Sequence, residues 1–264
     1  MRVAIAGAGT LAKLLTEELH AAGHEVVILS RSHKDFFDGK PGVACKQSPK
    51  CKRYIPAEFG GNAEDHPESA DSVFHNCKLV RDALKAQTEV EWTVVSLGWI
   101  MEYIVPSENR YHHNPGPMHP LDLQAKTITI PGTGNDVFSV TSARDTAKAV
   151  AELLKSSRKW REFTYVQGEE TTLLKMAETM KTVGGVPDLK IEFVSVDELK
   201  KTLELKESFM SMLVAEFKLM VPVGFCTLNQ SRVQRDRDEF FPTLRFRTMA
   251  DLLTAAKENP QAIV

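Results

Sequence analysis

The chain is poor in the features that mark secreted, membrane-spanning and nucleic-acid-binding proteins. Its 264 residues include four cysteines (Cys45, Cys51, Cys77 and Cys226), with no C-x-x-C pair and no metal-ligand spacing against the eight histidines. That pattern excludes a disulfide framework and a zinc site, so the cysteines read as free thiols in a reducing compartment and no metal is expected. No apolar run is long enough to span a bilayer. The formal net charge is only −2, so nothing draws the molecule to nucleic acid or to a membrane surface. Internal repeats and low-complexity tracts are absent. With 42% hydrophobic and 26% charged residues, the composition is that of a globular protein, and a cytoplasmic one is expected. The length suits one α/β domain with additions, or one large and one small lobe.

The informative segment lies at the N-terminus. Arg2-Val3-Ala4-Ile5-Ala6 is a short apolar run that breaks into Gly7-Ala8-Gly9-Thr10-Leu11-Ala12. Leu11, Leu14, Leu15 and Leu19 follow at helical spacing, and Val26-Val27-Ile28-Leu29 is a second apolar run. Strand, glycine turn, helix and strand place G-x-G-x-x-A where it carries meaning, as a dinucleotide-binding fingerprint. Gly7 allows the tight turn, and Gly9 admits a pyrophosphate close to the backbone. Ala12 permits close helix–strand packing, while the helix start at Thr10 and Leu11 supplies N–H donors. A glycine turn in some other α/β fold is the bland alternative. Because the N-terminus is itself the first strand, a cleaved signal peptide is not expected.

The end of the second strand carries Arg31, with His33 and Lys34 close behind, where an NAD site usually places Asp or Glu. Cations there suit the 2′-phosphate of NADP, so Arg31 and Lys34 point to NADP(H) rather than NAD; a solvated basic turn is the alternative.

Further along, Lys52–Pro56 reads as a strand, Ala70–Lys85 as a helix with Val73, Cys77, Val80 and Leu84 on one face, and Glu91–Ser96 as a strand. Residues 98–120 read as a long irregular loop rich in proline and histidine. Short strands follow at Thr127–Ile130 and Val137–Val140, then a helix over Ala143–Lys155. A strand near Phe163–Val166, a helix over Thr171–Thr182 and a strand over Lys190–Val194 come next. Ser195-Val196-Asp197-Glu198 has the form of a capping box. Between Arg31 and Lys52 only Val43-Ala44-Cys45 could form a strand, and glycines and prolines break the rest. Parallel strands need crossovers of a dozen residues or more, so the sheet is expected to lack a unit there, truncated between residues 32 and 52.

Tyr54-Ile55-Pro56-Ala57-Glu58-Phe59-Gly60, Lys78-Leu79-Val80-Arg81 and Trp92-Thr93-Val94-Val95 before Gly98-Trp99 occur in the order seen in one family. Gly132-Thr133-Gly134-Asn135, Thr141–Asp145, Phe241-Pro242 and Phe246-Arg247-Thr248 continue the pattern. The chain thus resembles the NmrA-like and isoflavone-reductase-like proteins, which are atypical short-chain dehydrogenases, and most resembles fungal members, many of them active in specialised metabolism. The resemblance implies an α/β Rossmann-type parallel sheet with helices on both faces, shortened after the second strand. It implies a cofactor domain over 1–167 and a smaller, mostly helical substrate lobe over 168–264, interleaved with loop 98–120. The implied function is NADP(H)-dependent reduction of a small apolar or aromatic carbonyl or conjugated double bond. A non-catalytic dinucleotide-sensing regulator of the NmrA type, or a non-redox isomerase or cyclase, remains the alternative.

Lys78 matches the family's catalytic lysine, a general acid or anchor of the nicotinamide ribose; otherwise it is a surface lysine on an amphipathic helix. Glu58 and Phe59 would wall the nicotinamide pocket, or else pack the loop. Trp99 and Tyr103 would line the substrate cleft, or else belong to a core segment. Tyr111-His112-His113 and His119 read as a mobile polar loop, and Arg232, Arg235 and Arg237 among Asp236, Asp238 and Glu239 as a solvated segment. The S-x-x-x-Y-x-x-x-K pattern of ordinary short-chain dehydrogenases is absent around Tyr54 and Tyr103. A small-molecule substrate is the expected partner, and the residues leave the oligomeric state open.

Overall fold

The computed structural model describes residues 1–7, 9–29, 51–67 and 72–264. It begins as the apolar pattern dictates. β1 (Arg2–Ala6) leads through the glycine turn into α1 (Thr10–Ala21) and on to β2 (Glu25–Leu29), which pairs parallel with β1 in the register Arg2↔Glu25 to Ala6↔Leu29. The stripe Ala12, Leu14 and Leu19 is buried, and α1 lies against α3 (Ala143–Lys155). Leu14 meets Ala143 and Ala147, whose small side chains let the two helices approach closely. Burying each such leucine contributes about 2 kcal/mol.

The central parallel sheet is assembled in short pieces. β3 (Arg53–Tyr54) pairs with β5 (Glu91–Trp92), and β4 (Phe59–Gly60) with β6 (Val94–Ser96). β6 also pairs with β11 (Phe163–Tyr165). The strand expected over Lys52–Pro56 is shortened to Arg53–Tyr54, and Pro56 has no N–H to extend the ladder. The strand expected over Glu91–Ser96 is divided at Thr93, where the chain changes partner. Thr93 N–H donates to Tyr54 at 3.2 Å and Val94 N–H to Glu162 at 2.8 Å. β6 is buried throughout, which explains its uninterrupted apolar character.

β7 (Trp99–Ile100) pairs parallel with β10 (Val137–Thr141), which pairs antiparallel with β12 (Glu169–Thr172). β9 (Thr127–Pro131) lies between β8 (Leu121–Asp122) and β13 (Lys190–Val194). The remaining helices are α2 (His75–Lys85), α4 (Leu173–Thr182), α5 (Val196–Leu205), α6 (Phe209–Leu219), α7 (Gln230–Phe240) and α8 (Met249–Glu258). One core cluster joins Trp99, Met101, Ile128 and Phe138 to Leu173, Met176, Met249 and Leu252; another centres on Leu19, Val95, Leu97, Leu153 and Phe241.

Three expectations are corrected. Residues 98–120 are not irregular loop but β7 followed by three 3-10 turns, with Met101, Glu102, Ile104 and Val105 buried. The helix expected from Thr171 starts at Leu173, because Glu169–Thr172 is recruited as β12. The arginine-rich segment is helix α7 rather than a solvated stretch. Asp236 is fully buried, accepts the Tyr165 N–H at 2.8 Å and pairs with Arg161 and Arg235, because α7 packs across β11. Cys226 is a buried free thiol. Among the described residues no helix is long and apolar enough to cross a membrane, and no group of His, Cys, Asp or Glu could hold a metal ion.

Candidate active site

The fingerprint turn has the geometry a dinucleotide needs. Gly7 has φ of +116°, a conformation that side-chain-bearing residues rarely adopt. Among the described residues a Cβ built on Gly9 would meet nothing within 4 Å. α1 begins there with no side-chain cap and no acidic residue in its first turn. By contrast Ser142, Thr172, Ser195, Ser208, Asn229 and Thr248 each cap a helix, Ser195 as its motif predicts. The N–H groups of Thr10, Leu11 and Ala12 lack intrahelical partners, and the positive end of the helix dipole faces the opening. The residues therefore fit a pyrophosphate.

Thr10 also belongs to the wall of a cavity of about 290 Å³. Trp99 and Tyr103 enter it from β7 and the 3-10 turn Met101–Ile104, and Phe217 from α6. His112, His113, Asn114, Pro115, Met118 and His119 complete the lining. Gly98 makes the delivery of Trp99 possible: its φ is +75°, and a Cβ there would strike the backbone of Ser139. Tyr103 is placed by its neighbour. The Glu102 carboxylate is buried against the start of α3, accepting Ser142 Oγ–H and Ala143 N–H, both at 2.7 Å. Arg247 braces the same junction, donating to Ser142 Oγ at 2.6 Å and pairing with the buried Asp145 at 3.1 Å.

The rings of the cavity interlock. Trp99 and His119 lie 5.2 Å apart edge to face, Tyr103 and His119 5.2 Å, and Tyr103 and His112 5.9 Å. Burial pushes both His112 and His119 down to about 4, with the nearby Arg110 charge acting in the same direction. Burial also raises the Tyr103 hydroxyl. His119 Nδ1 faces the backbone of Leu121, 3.2 Å from its N–H and 3.3 Å from its carbonyl oxygen. At neutral pH the cavity is thus largely aromatic, with the His112 and His119 rings uncharged and, among the described residues, no carboxylate in its lining.

Of the residues singled out from the sequence, Thr10, Trp99 and Tyr103 converge on this cavity, next to Gly7, Gly9, Leu11 and the buried Ala12. Lys78, Glu58 and Phe59 lie outside its lining. Lys78 is on α2 with its ammonium 2.5 Å from Asp82 and its side chain 39% exposed. Glu58 is ion-paired with Arg81, and Phe59 in β4 packs on the core around Val95 and Leu97. The start of α2 is tethered to the cavity helix α6: Glu216 accepts the Val73 N–H at 2.9 Å and the Ser72 hydroxyl, and Phe74 meets Phe217 at 5.3 Å. Arg31 and Lys34, the strand expected at Val43–Cys45 and the expected missing unit lie outside the described residues.

Reading residues 111–119 as a mobile polar loop missed His112 and His119, each only 6% exposed. Their proximity to Trp99 and Tyr103 in the chain was the available signal. Phe217 carried none, since its helix reaches the cavity only through tertiary packing.

A parallel α/β framework whose open glycine turn adjoins an aromatic cavity defines a Rossmann-type reductase fold. The solved structure of AtPrR2 with NADP+ and (+)pinoresinol matches it with a TM-score of 0.70 at 16% identity, covering 96% of this chain and 97% of that one. The proteins named oxidoreductase swnR from Arthroderma benhamiae and Metarhizium robertsii are 33% and 30% identical, with each chain covered completely. An NmrA-like family domain-containing oxidoreductase from Gibberella moniliformis is 25% identical over 66% of this chain and 53% of its own. No family model matches. The chain belongs to the NmrA-like, isoflavone-reductase-like oxidoreductase family, beside the proteins named swnR. Its alignment with the Arthroderma protein spans 307 positions against 264 residues here, so the relative carries segments that this chain lacks.

Proposed function

We propose that the protein is an NADP(H)-dependent oxidoreductase that reduces a carbonyl or conjugated double bond in a small apolar or aromatic molecule. The observation that carries this reading is the double role of Thr10, which stands both in the uncapped first turn of α1 and in the cavity wall. A dinucleotide held on that turn adjoins a molecule held in the cavity. Gly7, Gly9 and Ala12 make room for the pyrophosphate, and the N–H groups at the head of α1 bind it. Arg31 and Lys34 would take the 2′-phosphate, on the strength of their place after β2. The NADP+ in the AtPrR2 structure supports the cofactor, and the relatives' names support the reaction class. Residues 1–167 would form the cofactor unit and 168–264 the smaller lobe over it.

When bound, NADPH supplies a hydride. The aromatic walls Trp99, Tyr103 and Phe217 hold the flat part of the substrate and keep water from it. Lys78 is the proposed proton donor or ribose anchor. Its partner Asp82 is exposed, so the pair is weak and the ammonium can turn away from it. Titrating the full chain with NADPH and NADH, while following nicotinamide fluorescence and thermal stability, tests the cofactor. NADPH should bind much more tightly and raise stability by about 2.7 kcal/mol at a hundredfold excess over Kd. Absence of binding to a folded chain would overturn the reading. Lys78→Ala should cut turnover by about 10²–10⁴-fold while NADPH binding persists. Undiminished turnover removes Lys78 from the chemistry, and a wild type that binds NADPH but turns nothing over would be a sensor.

A further inference from the structure

Of the two buried arginines among the described residues, Arg81 and Arg110, the second has no ion-pair partner. It follows the 3-10 turn Ser107–Asn109 and is 9% exposed, and its Nε and Nη1 are closed to solvent without a hydrogen-bond partner. Arg81 has Glu58, Arg144 has Glu17 and Glu18, and Arg247 has Asp145. Among the described residues no carboxylate lies within ion-pair distance of Arg110. Glu102 is committed to the start of α3, and Glu108 is exposed. A guanidinium withdrawn from water with donors unmade is unfavourable until an anion completes it.

Its surroundings show where that anion would sit. The Arg110 guanidinium lies 5.6 Å from the ring centre of Tyr103, and two residues on is His112, whose Nδ1 is also buried without a partner. Tyr103 and His112 are both cavity walls, and among the described residues the lining contains neither Asp nor Glu to compete for the charge. The cavity therefore offers an apolar aromatic face with an unsatisfied cation behind one wall.

We propose that Arg110 is the anion-recognition residue of this cavity, and that the molecule bound there carries a carboxylate alongside its apolar or aromatic body. The carboxylate enters beside Tyr103 and His112 and accepts from the guanidinium, while Trp99, Met118 and Phe217 cover the apolar part. Arginine suits this task because its planar donors match a carboxylate and its charge is permanent. Calling that molecule the substrate rests on the reductase reading above; the anion site itself does not.

Benzoate and its neutral isostere benzamide are suitable probes, titrated into the full chain by calorimetry. Benzoate should bind at least tenfold more tightly than benzamide. Arg110→Gln should lower benzoate affinity to the benzamide level, and Arg110→Lys should fall between. Equal affinities for the two probes, or benzoate binding unchanged in Arg110→Gln, would overturn the proposal. The second result would place the anion elsewhere, for instance at the head of α1. NADPH is titrated into the same samples. Its failure to bind wild type would remove the reductase reading and leave the benzoate result standing, whereas NADPH binding retained in Arg110→Gln shows that the variant is folded. Should Arg110→Gln not fold, the wild-type contrast and Arg110→Lys decide.

Discussion

Lowering the pH from 7 to 4 is expected to remove about 6 kcal/mol of folding stability through two rings, His112 and His119. Each imidazole has an ordinary value of 6.5 and is held at about 4 in the fold, chiefly by burial. One unit corresponds to 1.36 kcal/mol, so a difference of roughly 2.5 units gives about 3 kcal/mol per ring. The sign follows from proton counting. Above pH 6.5 both rings are neutral, folded or unfolded, and contribute no pH dependence. As pH falls towards 4 the unfolded chain binds protons that the folded chain refuses, so stability declines across that interval and levels off below it. Even at pH 5 the two rings account for about 4 kcal/mol, a large part of the 5–15 kcal/mol of a typical domain. Urea denaturation at pH 7, 6 and 5 measures this. Depressed carboxylates such as Asp65 and Asp251 lose their contribution only at lower pH. Glu102 and Glu169, raised by burial, gain stability as pH falls and act against the rings, so the difference between wild type and a variant without the two rings is the measure. The variant His112→Asn/His119→Gln should flatten the slope between pH 6.5 and 5. A double variant with the same pH dependence as wild type there would refute the assignment of buried neutral rings.

Two substitutions probe the frame around the site. Gly9→Val places a side chain where a Cβ meets none of the described residues, so thermal stability should change little while NADPH binding is lost; retained binding would show that the pyrophosphate lies elsewhere. Arg247→Ala removes the guanidinium whose Nε–H is shared by both oxygens of the buried Asp145. The carboxylate keeps the backbone N–H of residue 247 and Lys148 at 3.8 Å, so the substitution should cost about 2–3 kcal/mol, read as a lowered denaturation midpoint. A loss below 1 kcal/mol would mean that the junction between the Tyr103 turn and α3 is held by Glu102 alone.

The sequence by itself determined the elements whose physics is local. Gly7, Gly9 and Ala12 sit within one strand–turn–helix unit, where six neighbouring positions specify a positive φ, an open backbone and a close helix contact. The order of Pro56-Ala57-Glu58-Phe59-Gly60, Lys78 to Arg81 and Gly98-Trp99 was enough to indicate the family. The helix over Ala143–Lys155 was legible because its apolar stripe repeats at helical spacing, and Ser195 declares its cap through Glu198 three residues on. Tertiary structure alone decided the character of the cavity. It gathers Thr10 from the first helix, three histidines and two aromatics from residues 99–119, and Phe217 from a helix a hundred residues later. The polar composition of residues 111–119 argued for a mobile polar loop, but α6 packs over the turn at Gly116–Met118, and His112 and His119 are shut away from water. Asp236 shows the same reversal, hydrophilic in its neighbours yet fully buried where α7 packs across β11. Whether a polar side chain is charged, neutral or left without a partner depends on what covers it, and that cover comes from segments far away in the chain.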